Sequence, residues 1–241
     1  MTITIIDTRK SQILEAVISE YEKTAEPVGS KIISAKYLQD SSPATIRTEM
    51  LEMEEMGFLT QPHISAGRMP TDKGWRYFLD MLMENENLSA LESKILEEEA
   101  ERIAFEDFDN VPRRTSKMLA LLSHNLSICT LLDPKDFYSY GVSEILREPE
   151  FSDANLTISI ADLIDNFEEN IDRVYNDIGS EKVTVKVGKE NPFDIDGVST
   201  VFSGFSLRDG RKGFFCLIGP KRMNYSKNIS LAERVREVLI K

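Results

Sequence analysis

The chain has 241 residues, 41% of them hydrophobic, which suits one large or two modest globular units and excludes a disordered chain. A formal net charge of −12 excludes indiscriminate polyanion binding but leaves room for a local basic surface. With only two histidines and two cysteines in the chain, Cys129 and Cys216, each inside an apolar run, buried free thiols are expected rather than a zinc site or a disulfide.

The amino terminus, MTITIIDTRK, lacks the layout of a signal peptide, and no run of about eighteen apolar residues occurs, so a cytoplasmic chain with no membrane partner is expected. From Thr8, the positions Ile13, Val17, Ile18 and Tyr21 fall on one face of a helix ending near Thr24. After a Pro27–Val28–Gly29 turn, Ser30 is placed to cap a second helix with Ile33, Tyr37 and Leu38 inward. The third helix opens at Ser42 and Pro43, where the missing proline N–H costs nothing, and Ile46, Met50 and Met53 follow at helical spacing. Gly57 sits where a left-handed residue would end it.

A short strand signal (Phe58, Leu59), a Pro62–Pro70 loop and an aromatic helix from about Asp72 complete this stretch. Three helices followed by strand, loop and strand encode a winged helix-turn-helix; a plain helical bundle has the same periodicity. The loop chemistry favours the first. Ser42, Thr45, Arg47 and Thr48 line the exposed start of the third helix, with Arg47 long enough to reach a guanine edge. Glu49, Glu52, Glu54 and Glu55 would repel phosphate, so contact should fade along that helix. Ser30 and Lys31 at the second helix, and His63, Ser65, Gly67 and Arg68 in the loop, complete the candidate DNA-binding set, with Gly67 allowing close approach to a duplex.

Two strings are more specific than any periodicity. EPVGSKIISAKYL and SSPATIRTEMLEMEEMGFLTQPHISAGRMPTDKGWRYF resemble the heat-inducible transcription repressor family, HrcA. Further on, GVSEILREPEF, VKVGKEN and GFFCLIGPKRMNYSKNIS are similar to that family's closing segments. The resemblance implies a repressor of chaperone operons that binds an inverted-repeat operator as a homodimer. It also implies a winged-helix head, a GAF-like domain with an inserted dimerising domain, and activity maintained by the chaperonin and lost on heating.

Asn87 to Phe105 reads as a helix with Leu88, Leu91, Ile95 and Phe105 on one side, carrying much of the acidic run from Glu84 to Asp109. It can serve as a linker with a solvated face or as a dimer seam; the heptad fails at Glu98 and Arg102. A helix over Arg113–Asn125, with Met118, Leu119 and Leu122 inward, runs into the strand-like LSICTLL. Asp133, Pro134 and Lys135 then lead almost at once to FYSYGVSEI, leaving no room for the family's inserted domain. A homodimer would therefore need another interface, the helix at Leu88–Phe105 or an exposed sheet edge. The remaining signals are a helix over Ile158–Tyr175, strands at Val183–Val187, Ser199–Leu207 and Gly213–Ile218 with an Arg208–Asp209–Gly210 turn, and a closing helix over Ile229–Ile240.

The expectation is an α+β chain: a winged helix-turn-helix over residues 1–82, an acidic linker helix over 83–112 and a shortened GAF-like antiparallel sheet domain over 113–241. Asp194 and Asp196 lie in a Pro/Gly loop without a histidine or nucleophile, so no enzymatic activity, metal or cofactor is expected. Lys221 and Arg222 either pair with linker acids or face solvent. The alternative is a small-molecule-sensing regulator whose pocket would be lined by Phe137, Tyr138, Tyr140, Phe202, Phe205, Phe214 and Phe215.

Overall fold

The structure is a computed structural model that describes residues 6–83, 88–105, 110–178 and 182–240. The acids Glu84, Glu86, Glu106, Asp107 and Asp109 of the expected linker lie outside the described residues. The chain forms two compact units, Met1–Glu84 and Asn85–Lys241.

In the first unit, α1 (Thr8–Thr24), α2 (Ser30–Lys36) and α3 (Pro43–Glu55) precede strands β1 (Leu59–Thr60) and β2 (Met69–Pro70), then α4 (Asp72–Tyr77). Each long helix starts on a side-chain cap: Asp7 accepts the Lys10 N–H at 2.8 Å, and Ser42 accepts the Thr45 N–H at 3.1 Å. Such caps contribute about 1 kcal/mol each. The second helix starts one residue earlier than the sequence suggests, with Gly29 rather than Ser30 at the cap position. Helix α3 ends as expected at Gly57 (φ +78°), with the Phe58 N–H on the Met53 carbonyl and the Gly57 N–H on the Glu54 carbonyl. Ile13, Val17, Ile18, Ile33, Ile46, Met50 and Met53 are all buried, as are Phe58 and Trp75.

In the second unit, α5 (Ala90–Phe105) and α6 (Val111–Ser123) lead into an antiparallel five-stranded sheet. Its strands are β3 (Leu126–Leu131), β4 (Phe137–Tyr140), β5 (Thr184–Val187), β6 (Val198–Ser206) and β7 (Lys212–Pro220), in the order β4-β3-β7-β6-β5. Between β4 and β5 lie the short α7 (Val142–Ile145) and the pair α8 (Ala154–Asp165) and α9 (Phe167–Ile178); α10 (Tyr225–Ile240) closes the unit. Strands β3, β6 and β7 are buried almost end to end because both faces are covered. One face, with Leu126, Ile128, Phe202, Phe214 and Cys216, packs on Phe151, Ile160, Leu163, Phe167 and Ile171. Helices α6 and α10 pack against the sheet and against each other. The register sets Cys129 opposite Phe215 and Cys216 opposite Ile128, so the two free thiols point to opposite faces and cannot be joined. Burial pushes both thiols above their ordinary pKa.

Several local expectations change. FYSY, to which the sequence assigned no element, is an edge strand. The helix expected over Ile158–Tyr175 is interrupted at Asn166, whose side-chain amide donates to the Asp162 carbonyl at 2.9 Å. Helix α10 begins at Tyr225 because Asn224 Oδ1 accepts the Lys227 N–H at 2.9 Å. Of the expected α5 face, Leu88 and Ile95 are half-buried, Leu91 is 68% exposed and the Phe105 side chain lies outside the described residues, while Leu96 is buried. Polar groups anchor this helix. Ser89 and Glu92 form reciprocal bonds at its start: the Ser89 N–H and hydroxyl donate to Glu92 Oε2, and the Glu92 N–H donates to Ser89 Oγ. Glu92 also takes Lys227 of α10 at 2.6 Å, and Glu99 takes Arg114 of α6 at 3.4 Å. Thus Lys227 and Arg114 serve the acidic helix, whereas Lys221 pairs with Asp196, and Arg222 with Glu148 and Glu150.

The Lys227 ammonium, and then the Ser89 hydroxyl and N–H, lower the Glu92 carboxyl from 4.5 to about 2. A depressed carboxylate stabilises the fold in full above its unfolded pKa and loses that contribution as pH falls toward the folded one. Lys227→Met should raise the Glu92 pKa toward 4.5, read by carboxyl NMR titration. The stability gap between wild type and variant should be present at neutral pH and shrink on acidification from about 4.5 toward 2.

Candidate nucleic-acid interface

The loop between β1 and β2 is fixed at its base by a backbone bridge. The Val28 N–H donates to the Arg68 carbonyl at 2.8 Å, and the Arg68 N–H to the Val28 carbonyl at 2.9 Å. Gly67 is what lets the loop meet the turn before α2: a Cβ there would fall 2.4 Å from the Val28 carbonyl carbon. The Arg68 side chain is 9% exposed and its Nε donates to Glu54 of α3 at 2.9 Å. Higher in the loop, Gln61 Nε2 donates to the carbonyls of Ala66 (2.7 Å) and Ile64 (3.1 Å). His63 Nδ1 lies 3.2 Å from Ser65 Oγ, and both residues are exposed.

These contacts give two of the expected residues a role in the fold. Gly67 lets the Pro27–Val28 backbone approach, and Arg68, expected to face phosphate, turns inward to the Glu54 carboxylate. The other candidates are accessible. Ser42, Thr45, Arg47 and Thr48 are exposed at the start of α3, Lys31 is exposed on α2, and Ser30 is half-buried in its first turn. Ser42 and Thr45 are joined by their hydroxyls at 2.9 Å, and Thr48 Oγ1 donates back to the Ala44 carbonyl at 3.2 Å. A groove of about 490 Å³ brings Ser30, Lys31 and Arg47 together with Gln61, Ile64 and Ser65 of the loop.

The charges around α3 are sorted. Glu49 pairs with Arg9 at 2.6 Å, Glu52 with Lys10 at 3.0 Å and Glu54 with Arg68 at 2.9 Å. The Lys10 ammonium is held above its ordinary pKa by Asp7 and then by Glu52. Glu20, which is 4% exposed, is held below the usual carboxylate range by Lys36 at 2.7 Å and then by the Tyr37 hydroxyl. Among the described residues, Lys31 and Arg47 have no acidic partner. Three of the four acids that should repel a phosphate backbone, Glu49, Glu52 and Glu54, are therefore compensated, and Lys31 and Arg47 line one groove. Arg9, Lys10 and Gln61 were not singled out by the sequence, because their partners lie too far along the chain, or in too irregular a loop, for any periodic signal.

In the second unit, Asp196 is engaged by Lys221 at 2.8 Å and Asp194 lies 3.8 Å from Arg173. Among the described residues no group of three or more His, Cys, Asp or Glu could hold a metal ion, and no helix is long and apolar enough to cross a membrane. Of the aromatic residues proposed to line a ligand pocket, Phe202 and Phe214 pack with Phe167 and Phe193 in the core, and Phe205 stacks on Phe215.

Comparison with known proteins places this chain. The family model described as HrcA protein C terminal domain matches residues 73–229. A heat-inducible transcription repressor HrcA of Symbiobacterium thermophilum is 38% identical over 164 residues, covering 67% of this chain and 47% of the relative. The same-named protein of Desulforamulus reducens is 49% identical over 119 residues, covering 49% of this chain and 34% of that one. Over these matches the chain spans about half or less of the relatives' length. A third, from Caldanaerobacter subterraneus subsp. tengcongensis, is 27% identical with 93% of each chain covered; its alignment runs over 328 positions, more than this chain has residues, so the relative carries segments absent here. A crystal structure of a hypothetical protein superposes with TM-score 0.75 at 16% identity, covering 97% of this chain and 96% of that one, and shows a shared α+β fold.

Removing the Arg68 guanidinium would leave Glu54 without its partner. Arg68→Met should destabilise the first unit by about 1–3 kcal/mol, below the cost of breaking a fully buried pair because Glu54 is 29% exposed. Denaturant unfolding of Arg68→Met, Glu54→Gln and the double variant measures the coupling directly. Gly67→Ala should destabilise as well, by forcing the Val28 backbone away.

Proposed function

The chain belongs to the HrcA family, and from that membership we propose that it is a sequence-specific DNA-binding repressor of heat-shock operons. Its first unit acts as a winged helix-turn-helix and its second as a shortened GAF-like domain. The observation that carries the reading is the pairing of charges around α3, which leaves Lys31 and Arg47 as the uncompensated cations beside an exposed loop. The start of α3 enters the major groove, with Arg47 on a base edge and Ser42, Thr45 and Thr48 on backbone oxygens. Ser30 and Lys31 reach the phosphates from α2, while His63 and Ser65 approach the minor groove from the wing. Gly67 and Arg68 shape that wing from within.

An inverted-repeat operator rewards two linked heads whose half-sites lie about 34–36 Å apart, or a multiple of that. The working form is therefore a homodimer, held by an interface other than the family's inserted domain. Heating releases the operator, and chaperonin contact maintains the active form; both belong to the family reading rather than to any geometry of this chain. Light scattering of the free chain, and of its complex with an inverted-repeat duplex, tests the stoichiometry. A monomer on a single half-site would overturn the dimer.

Arg47→Ala should weaken binding to a selected inverted-repeat duplex by about 1–3 kcal/mol without changing thermal stability, because the side chain is exposed and unpaired. Lys31→Ala should weaken binding to all duplexes alike and lower the slope of affinity against salt by about one. Gel-shift titrations at several salt concentrations read both. Equal affinity of wild type and Arg47→Ala would remove the base-contact role.

A further inference from the structure

One feature of the loop is used neither by the fold nor by the charges. Ile64 at the loop tip is 95% exposed, more than any other large exposed hydrophobic residue of the described chain. Its backbone is not loose: Gln61 Nε2 holds the Ile64 carbonyl at 3.1 Å and the Ala66 carbonyl at 2.7 Å, and the Ala66 N–H donates to the His63 carbonyl at 2.8 Å. The base is locked by the Val28–Arg68 bridge and by Arg68 on Glu54. A β-branched side chain has few χ1 rotamers to lose on contact. The unit thus presents a rigid apolar point flanked by polar His63 and Ser65, lining the same groove as Lys31 and Arg47.

We propose that Ile64 is a specificity-determining contact, seated in the operator's minor groove beside the half-site read by Arg47. The inference rests on the DNA-binding reading above and adds to it the base preference of the wing. The chemistry is selective. At A·T pairs the minor-groove edge carries only the N3 and O2 acceptors, and pyrimidine–purine steps such as TA open readily to an apolar wedge. A G·C pair sets the guanine amino group into the groove, where an isoleucine covering it would leave a buried donor unsatisfied. Ile64 therefore selects A·T over G·C at the positions the loop covers. It neutralises no phosphate, so its contribution is independent of salt.

The test uses the full chain and a randomised duplex pool. Selection with wild type should recover sites whose flanks, next to each half-site, are A·T-rich. Ile64→Ala should lose that flanking preference, retain the positions read by Arg47 and bind the recovered site about tenfold more weakly with an unchanged salt slope. Ile64→Val should keep the preference. Thermal stability of both variants should match wild type, since the side chain is solvent-exposed. Recovery of the same flanks at the same affinity by Ile64→Ala would overturn the proposal. So would a change of mass by light scattering without a change in DNA affinity, which would assign Ile64 to contact between protein chains. If wild type enriches no site, the DNA-binding reading itself fails and the role of Ile64 falls with it; if Arg47→Ala loses binding while Ile64→Ala does not, only the wedge fails.

Discussion

The first unit depends on the backbone bridge between Val28 and Arg68. A two-residue ladder, Leu59 with Pro70 and Thr60 with Met69, is all that β1 and β2 supply. An isolated two-stranded hairpin is at best marginally stable in water. The bridge ties its far end to the turn before α2, and the Arg68 side chain ties the same residue to α3 through Glu54. One residue thereby joins three elements: the turn before α2 through its backbone, α3 through its side chain, and β2 through the chain that continues from it at Met69. Lys31, Arg47 and the loop tip are held in one arrangement before any ligand arrives, which limits the ordering that binding must impose. Glycine at position 67 follows from the same constraint, since any side chain would displace the Val28 backbone.

The second unit solves a different problem, an antiparallel sheet with both faces buried. Buried strands do not alternate, and LSICTL, VSTVFSGFS and KGFFCLIGP read as near-continuous apolar runs broken by small polar residues. The polar residues need partners, and Ser199 has one in the Tyr225 hydroxyl at 2.7 Å. Strand β4 pairs with β3 through a short connection, the place where the sequence leaves no room for an inserted segment. The acidic helix α5 belongs to this unit through ion pairs with α6 and α10.

Legibility in the sequence followed the range of the interaction. Helices with a clean apolar stripe were readable to within a residue or two: α1 from Thr8 by its 13/17/18/21 face, α3 from Ser42–Pro43 to Gly57. The long strands and the Asp209–Gly210 hairpin were readable for the same reason. What escaped was decided by distant partners. Lys227 and Arg114 anchor α5 from distant elements, and of its expected stripe Leu91 turns out to solvent, while Leu96 turns in. Strand β4 has no alternation because it is a half-buried edge. At the candidate interface the residue types on α3 were legible. The inward turn of Arg68 was not, because its acid lies on α3 while the residue itself sits in the loop.

The charge arrangement also reconciles a net charge of −12 with the DNA partner proposed above. Beyond a Debye length of about 8 Å at physiological salt, exposed charges scarcely act on one another, so the local pattern matters more than the total. Along α3 the helix turns from a cationic start to an acidic body, and each of Glu49, Glu52 and Glu54 meets a cation from elsewhere in the unit. Arg9 and Lys10 from α1 matter here through their partners, since removing them would return two uncompensated carboxylates to the helix that carries Arg47. Their effect would be on the field at the groove rather than on any single contact. A positive face on an acidic protein is built as much by placing acids beside bases as by adding cations.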